Sequence, residues 1–409
     1  MKYKLLSILL VIYMNTIQSQ SLDSLVDMAI SQNKDILILD NEYKTALQKA
    51  AQVSQIPDTE VGMGGFPLPV QTRVGPQFLR LSATQMFPWF GTLDSKADLE
   101  NEKAKVIREK ANARALDIAF EIRKNYYDLY ELRQSQSIIN KNMKLLNSLE
   151  RLAKIKVESG KSSASDVLRI QLRKEKLQQQ LDILKSRERI PIIRINEWVE
   201  RPLDTNIEVV QDFSFAVLTH SKDSLLYNIS NLHPMIKMFS QQQEVAKKVI
   251  ELNELEQKPS FGVGMDYIVV GKRRDVDIAR NGRDIVQLRV MVKFPIQKKK
   301  YRAKEAEQKL KIEGLELEKE NLLFTFEAMI EQGYAKYETA RINKEHLGRQ
   351  IPLIQSTINI IEGEYAAKGL NFDELLRLEM ELIKYELNIL KSIMKSHHAK
   401  NSIERFMIQ

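Results

Sequence analysis

The segment DIVQLRVMVKFPIQKKKYRAKEAEQ, which begins at Asp284, joins two different hydrophobic patterns. From Val286 to Phe294, apolar residues alternate with mostly polar ones, and this period of two predicts a β-strand with one apolar face. Pro295 ends the pattern, and from Gln297 onward the segment is charged and has the periodicity of a long helix. A short amphipathic strand that leads directly into a long charged helix therefore sets the fold class.

This arrangement occurs twice, because the second half of the chain repeats the plan of the first. Phe87-Pro88 corresponds to Phe294-Pro295, and residues 167–170 (VLRI) correspond to residues 375–378 (LLRL) at nearly the same separation. A repeat at a nearly constant distance indicates a tandem structural duplication. We predict a first copy over residues 21–203 and a second over residues 204–409, each with a helix, two strands and a long helical hairpin.

The predicted elements have the same order in both copies. In the first copy, we expect helices at about residues 22–55, at 92–157 and from 166 to the segment in which Pro191 and Pro202 break or kink the pattern, strands at 59–66 and 77–87, and a hairpin turn at about 158–166. In the second, we expect helices at about 222–257, 298–363 and up to 405, strands at 260–271 and 284–294, and a turn at about 364–374. Helices of this length must pack along one another, since a globular core is too small to cover them.

The composition excludes several classes of protein. The chain has 409 residues, of which 28% are charged, and no cysteine, so we expect neither disulfides nor a lipid anchor attached through cysteine. The sequence has no run of about 20 apolar residues, the length that a transmembrane helix needs. Two lysines followed by an apolar run from Leu5 to Met14 predict a secretory signal peptide over residues 1–20.

The sequence contains no constellation of residues that predicts catalysis. The histidines lie far apart except for His397 and His398, and no spacing of carboxylates and histidines forms a zinc site. We therefore expect no enzymatic activity, no cofactor and no metal site. Basic runs such as QKKKYRAK, which begins at Gln297, lie within helical periodicity and match no nucleic-acid-binding motif, so they indicate a solvated helix face.

The two strand copies, aligned on their prolines, place similar residues on the same face. The predicted lipid-facing residues are Leu79, Leu81, Val286, Leu288, Val290 and Val292, and the predicted water-facing residues are Arg80, Arg289 and Lys293. This pattern fits a membrane β-barrel and fits a half-exposed soluble sheet equally well. The adjoining helices are expected to pack on one another, so lipid is the cover that remains. Because a barrel needs about eight strands, several copies of the chain must share one.

The chain resembles the TolC-type outer-membrane efflux channel family over essentially its whole processed length. The segments that carry the resemblance are TQMFPWFGTLDSKADLENEKAK, ESGKSSASDVLRIQLRKEKLQQQL, VKFPIQKKKYRAKEAEQ and YAAKGLNFDELLRLEMELIKYEL. The resemblance implies a mainly α fold with a small β part, in which a homotrimer forms a periplasmic tunnel of helices and a shared twelve-stranded barrel in outer-membrane lipid. It further implies a passive exit duct for small molecules or metal ions, joined to an inner-membrane pump by a periplasmic adaptor protein.

Two turns are the candidate gate of such a duct. Each is predicted to be a glycine break followed by a capping box that starts the next helix; the residues are Gly160, Ser163 and Asp166 in the first turn and Gly369, Asn371 and Glu374 in the second. The resemblance implies that these hairpins form the closed periplasmic tip, with Glu374 facing the pore and Arg377 in place of a second acid. It also implies a hydrogen bond between Asp166 and Tyr365 that favours closure. The alternative is that Asp166 and Glu374 are helix caps alone.

A second class of function is also open. A periplasmic adaptor or scaffold uses long helical hairpins of the same kind without a membrane barrel of its own. The amphipathic strands favour the channel, because an adaptor has no need of a pair of such strands beside each helical hairpin.

Overall fold

The structure is a computed structural model that describes residues 21–209 and 212–407, so the predicted signal peptide lies outside the described residues. Within these ranges, helices and strands follow the order helix, helix, strand, strand, helix, helix, and this order occurs twice. The helices are α1 (Leu22–Gln32), α2 (Lys34–Val53), α3 (Thr92–Glu158), α4 (Ala164–Trp198), α5 (Lys222–Leu232), α6 (Pro234–Leu255), α7 (Lys298–Lys368) and α8 (Phe372–Glu404), and the strands are β1 (Glu60–Thr72), β2 (Gly75–Phe87), β3 (Ser260–Val270) and β4 (Ile285–Lys293).

The first helix of each copy is divided in two, which the sequence did not predict. At the first break, the Asn33 side chain accepts a hydrogen bond from the backbone N–H of Asp35 at 3.0 Å. At the second, the His233 ring accepts one from the backbone N–H of Met235 at 3.2 Å, and Pro234 occupies the first turn of the new helix. A residue in extended backbone whose side chain caps the following helix stabilises the start of that helix, so a new helix begins at each break.

Pro191 does not end the helix, because α4 continues through it to Trp198 and ends before Pro202, the second of the two prolines that were predicted to break or kink the pattern. A proline inside a helix removes one backbone hydrogen bond, and Pro191 is a buried residue of α4. The helix ends seven residues later, and the Asn196 side chain there donates to the backbone carbonyls of Leu203 and Thr205 at 3.0 and 2.8 Å.

The described chain forms two compact units. One unit contains residues 37–114 and 226–326 and includes the sheet; the other contains residues 21–36, 115–225 and 327–407 and includes the two helical hairpins. In the first unit, the four strands form one antiparallel sheet in the order β1-β2-β3-β4. β1 is longer than predicted and shifts register between Gly65 and Val70, around two prolines, which an edge strand tolerates.

The second unit is held together by apolar side chains at coiled-coil spacing along its helices. One cluster joins the two hairpins near their turns; its most deeply buried members include Ile139, Leu146 and Leu149 of α3, Ile170 and Leu177 of α4, Ile358 and Tyr365 of α7, and Leu375 of α8. Such spacing packs each helix along its neighbours over many turns. Among the described residues, no helix combines the length and the apolar content that are needed to cross a membrane.

Candidate functional site

The first candidate site is the sheet, whose register places the apolar residues of all four strands on one face. Val61 pairs with Ala83, Ala83 with Met265, and Met265 with Leu288, so one apolar row crosses the whole sheet. Leu288 and Val290 are each 80% exposed, and Val61 is 79% exposed. The predicted lipid-facing residues of β2 and β4 lie on this face: Leu79, Leu81, Val286, Leu288, Val290 and Val292. A patch of this kind indicates a surface that is covered by something other than water.

The opposite face of the sheet is polar, and its centre is a buried carboxylate. Asp266 in β3 is fully buried, and its carboxylate oxygen lies 2.7 Å from a guanidinium nitrogen of Arg80 in β2 and 2.7 Å from one of Arg289 in β4. Gly264 lies next to Arg289, so the long arginine side chain is able to lie across β3. Lys293 lies on the same face at the end of β4, opposite Ser260.

Arg80, Arg289 and Lys293 were predicted to share the polar face, whereas Asp266 was missed in the sequence. The signal was the alternation of Gly262, Gly264 and Asp266 with apolar residues in β3, which places this acid on the face of the arginines. The cluster carries two positive charges and one negative charge, so its net charge is positive.

The second candidate site is the turn between α3 and α4. Gly160 has a φ of +69°, and the Lys161 N–H donates to the Lys156 carbonyl at 2.8 Å, as in a Schellman turn. Ser163 caps α4, but it accepts from the N–H of Ser165 at 3.2 Å. The reciprocal capping box that was expected with Asp166 is therefore replaced by a different arrangement, in which the Asp166 carboxylate accepts from the Ser162 hydroxyl.

The turn between α7 and α8 differs from the prediction in the same way. Gly369 has a φ of +71°, and its N–H donates to the Tyr365 carbonyl at 2.9 Å. Asn371 occupies the N-cap position of α8 in left-handed backbone, and its side chain makes no cap hydrogen bond. It donates instead to the Glu364 carboxylate at 2.8 Å. The expected capping box between Asn371 and Glu374 is wrong, because the backbone of Asn371 turns its side chain away from the helix end.

The two turns contact each other through side chains of both hairpins. The Tyr365 side chain is fully buried, and its hydroxyl lies 3.3 Å from the Ser162 hydroxyl, which in turn donates to Asp166. The expected direct hydrogen bond between Asp166 and Tyr365 is thus replaced by a chain through Ser162. Burial raises the pKa of Tyr365, so its hydroxyl stays protonated. Two further links across the hairpins are the hydrogen bond from Lys156 to the Ala366 carbonyl and the ion pair of Arg169 with Asp373.

Gly369 lies close to the backbone of the other turn. A Cβ atom built on Gly369 would lie 2.1 Å from the Lys161 carbonyl oxygen, far inside any permitted contact. At Gly160, which has nearly the same φ, a Cβ atom would meet nothing within 4 Å. The two glycines therefore allow the same backbone conformation, but only Gly369 is also required for contact between the hairpins.

Glu374 lies near this turn and is paired with a base of its own helix. The Arg377 guanidinium donates to both Glu374 carboxylate oxygens, at 2.9 and 2.6 Å, and lies 3.3 Å from Glu381. These hydrogen bonds hold the pKa of Glu374 below its ordinary value. Within one chain, the charge of the predicted pore-facing acid is therefore largely compensated by Arg377.

A further acid of α8 was not singled out in the sequence. Glu379 is 3% exposed, and burial together with the nearby Glu362 and Glu386 raises its pKa to about 7. The sequence did contain a signal for the burial of Glu379, because this residue lies between Leu376 and Ile383 on the face of α8 that packs into the core.

Comparison with known proteins relates this fold to solved channels. No family model and no curated protein matches the chain. Among solved structures, CusC matches with a TM-score of 0.73 and 12% identity, covering 94% of this chain and 91% of CusC. The outer-membrane protein VceC of Vibrio cholerae matches with a TM-score of 0.71 and 12% identity, covering 94% and 95%. The open state of the outer-membrane channel MtrE of Neisseria gonorrhoeae matches with a TM-score of 0.71 and 13% identity, covering 94% and 88%.

At this level of identity, the comparison establishes the fold. The chain has the fold of TolC-type outer-membrane efflux channels, so the fold class predicted from the sequence is confirmed. The solved structures of CusC and MtrE are of channels.

Proposed function

We infer that the chain is the outer-membrane exit duct of a tripartite efflux system. The observation that carries this proposal is the exposed apolar face of the four-stranded sheet, with residues such as Leu288 and Val290 at 80% exposure. In water such a face is unfavourable by about 25 cal/mol for each Å² of apolar surface, whereas membrane lipid covers it without that cost. The alternating faces then separate lipid from a water-filled interior.

Three copies of the chain share the barrel in this proposal. In the single chain, β1 and β4 are the outer strands of the sheet and each leaves one edge for pairing. Lipid offers no hydrogen-bond partners to backbone groups, so these edges must pair with other copies for the sheet to enter a membrane. Four strands are also too few for closure, which takes about eight.

The hairpin turns form the gate of the proposed duct. Ser162, Asp166 and Tyr365 link the turn of one hairpin to the next, and Gly369 lets the turns approach closely. We propose that breaking these contacts opens the tip, and that three copies of Glu374 near a narrow axis set its preference for cations, reduced by Arg377. The adaptor protein and the inner-membrane pump would contact this periplasmic end.

The mass of the detergent-solubilised particle tests whether three chains assemble. The full-length chain, expressed with its signal peptide and extracted from outer membranes in a non-ionic detergent, is weighed by light scattering with correction for bound detergent. The proposal expects three chains in each particle and conductance in planar bilayers after the tip is opened. A stable monomer that stays in solution without detergent would favour the periplasmic adaptor or scaffold instead.

A further inference from the structure

A cleft of about 730 Å³ lies in the sheet-containing unit, where the strands end and the long helices begin. Its lining includes the strand residues Met86, Ser260 and Lys293 and the first turns of both α3 and α7. The volume lies within the range of about 300 to 1,000 Å³ that is usual for sites that bind small molecules.

The cleft is strongly basic. Four lysines line it, namely Lys96, Lys258, Lys293 and Lys300, against a single acid, Glu256. Glu256 forms an ion pair with Lys304 at 3.4 Å, so it does not neutralise the lining lysines. In the part of the chain that the structure describes, none of the four lysines forms an ion pair with a carboxylate within 4.0 Å. Their charges therefore remain available to a ligand.

A buried hydroxyl in the same lining also lacks a partner. Thr92 is 4% exposed, and its hydroxyl makes no hydrogen bond with any described residue. It belongs to the first turn of α3, where the helix dipole favours negative charge and Asp94 is the acid of that turn; the N–H groups of Thr92 and Ser95 already donate to the Trp89 and Gly91 carbonyls. A buried hydroxyl without a hydrogen-bond partner lowers the stability of the fold, so a ligand that accepts a hydrogen bond from Thr92 removes this penalty.

The rest of the lining is apolar and aromatic. Trp89 and Tyr301 line the cleft, and Phe294 and Ile296 are 64% and 85% exposed beside it. The Trp89 ring lies 5.9 Å from the ring of Phe261. A ligand that fills the cleft thus meets both lysines and aromatic side chains, and the Lys300 ammonium lies 4.7 Å from the centroid of the Tyr301 ring.

We propose that this cleft binds an amphiphilic anion, whose carboxylate or phosphate head contacts the lysines and Thr92 and whose apolar body lies against the aromatic side chains. The inference rests on the proposed function for the source of the ligand: Met86, Ser260 and Lys293 lie on the polar face of the sheet, so the expected source is a solute in the duct, and a membrane phospholipid is the alternative that the experiment tests. Either source presents the same chemistry to the cleft, and separate arms of one experiment distinguish them.

Fluorescence of Trp89 measures occupancy of the cleft directly. The chain has two tryptophans, so the variant Trp198→Phe leaves Trp89 as the sole tryptophan. Bromine quenches tryptophan fluorescence on contact. The full chain, in one non-ionic detergent, is titrated with 4-bromobenzoate, with the neutral 4-bromobenzyl alcohol and with the cationic 4-bromobenzylamine. We expect saturable quenching by the carboxylate, at least tenfold tighter than by the alcohol, and the weakest quenching by the amine.

The lipid arm uses the same signal. The chain is placed in nanodiscs that contain brominated phosphatidylglycerol or brominated phosphatidylcholine. Stronger quenching by the anionic lipid identifies a membrane source, and quenching by 4-bromobenzoate without this difference identifies a solute from the duct; both support the cleft as an anion site. Equal affinity for carboxylate and alcohol, together with equal quenching by the two lipids, would overturn the proposal.

Paired variants assign the effect to the cleft. Lys96→Gln with Lys300→Gln should weaken binding of 4-bromobenzoate roughly fivefold for each lysine removed. The control, Lys110→Gln with Lys299→Gln, removes the same charge from the same two helices outside the lining. Thr92→Val should weaken binding without lowering the thermal unfolding temperature, because no internal hydrogen bond is lost. Equal affinity of the cleft and control variants would contradict the proposal.

The outcome is independent of the test of the proposed function. Conductance in planar bilayers and particle mass are measured on the same preparations. A conducting trimer with no preference for the carboxylate would remove the cleft site and leave the duct. A preparation that binds the carboxylate through Lys96 and Lys300 but forms no channel would keep the site and reject the duct.

Discussion

The substitution Gly369→Ala tests whether contact between the two hairpin turns keeps the tip closed. A left-handed backbone costs an alanine roughly 1 to 2 kcal/mol relative to glycine. The new methyl group would also lie 2.1 Å from the Lys161 carbonyl oxygen, where ordinary contact requires about 3.5 Å, so the turns must separate by about 1 Å or more. Gly160→Ala is the matched control, because its φ of +69° imposes the same backbone strain with nothing within 4 Å of the methyl group.

Hydrogen exchange and conductance together read out the separation. Gly369→Ala should speed amide exchange in both turns, at residues 159–163 as well as 366–371, and should raise the resting conductance of trimers in planar bilayers. Gly160→Ala should speed amide exchange in its own turn alone and leave the resting conductance unchanged. If Gly369→Ala speeds exchange in its own turn alone and the resting conductance equals that of the control, contact between the turns is not the gate.

Three further predictions concern the same unit. Asp166→Ala combined with Tyr365→Phe removes both ends of the hydrogen-bond chain through the first turn and should raise resting conductance; unchanged conductance in well-folded trimers would reject this role. Glu374→Gln should lower the preference of the channel for cations, which is measured from reversal potentials. If Glu374 served only as a helix cap, the substitution would lower stability by about 0.5 to 2 kcal/mol and leave the cation preference unchanged. Hydrogen bonds from Lys174 lower the pKa of Glu150 to about 2 from an ordinary value of 4.5, so its stabilisation is complete above pH 4.5 and is lost as pH falls towards 2. Glu150→Gln should therefore reduce the fall in unfolding temperature between pH 4.5 and pH 2. If the unfolding temperature of the variant falls as steeply with pH as that of the unaltered chain, Glu150 does not provide this stabilisation.

The strands and their faces were predictable because a sheet has a period of two. The alternation from Val286 to Val292 assigned every residue of β4 to a face without knowledge of its neighbours. The register across strands was not predictable, since it depends on pairing between segments far apart in the chain. Asp266 was missed for this reason, because its importance comes from Arg80 and Arg289 on adjacent strands.

The turns were located from the sequence, but their hydrogen bonds were not. A glycine shortly before a polar N-cap residue marks a turn locally, as with Gly160 before Ser163 and Gly369 before Asn371, and both glycines have the expected positive φ. The packing of the second hairpin determines which side chain donates a hydrogen bond to each carboxylate. Ser162 lies between Asp166 and Tyr365 because the buried tyrosine brings its hydroxyl to that serine.

The basic cleft was also beyond the reach of sequence reasoning. Its lysines come from α3, from the segment before β3, from the end of β4 and from α7. Each looks like a residue of a solvated helix or strand end when it is read alone. The fold brings them together because the strands of both copies end where the long helices start.

Membrane insertion of two single variants tests most directly whether the apolar face of the sheet meets lipid. Leu288→Arg places a charge on the apolar face, and Gln287→Arg places the same charge on the polar face at the preceding residue of β4. An arginine facing the middle of a bilayer costs roughly 2 to 4 kcal/mol, and one facing water costs much less. The measurement is the yield of heat-stable, membrane-inserted trimer from outer-membrane fractions. We predict a large loss for Leu288→Arg and near-normal yield for Gln287→Arg; equal yields for the two variants would contradict a membrane-embedded sheet.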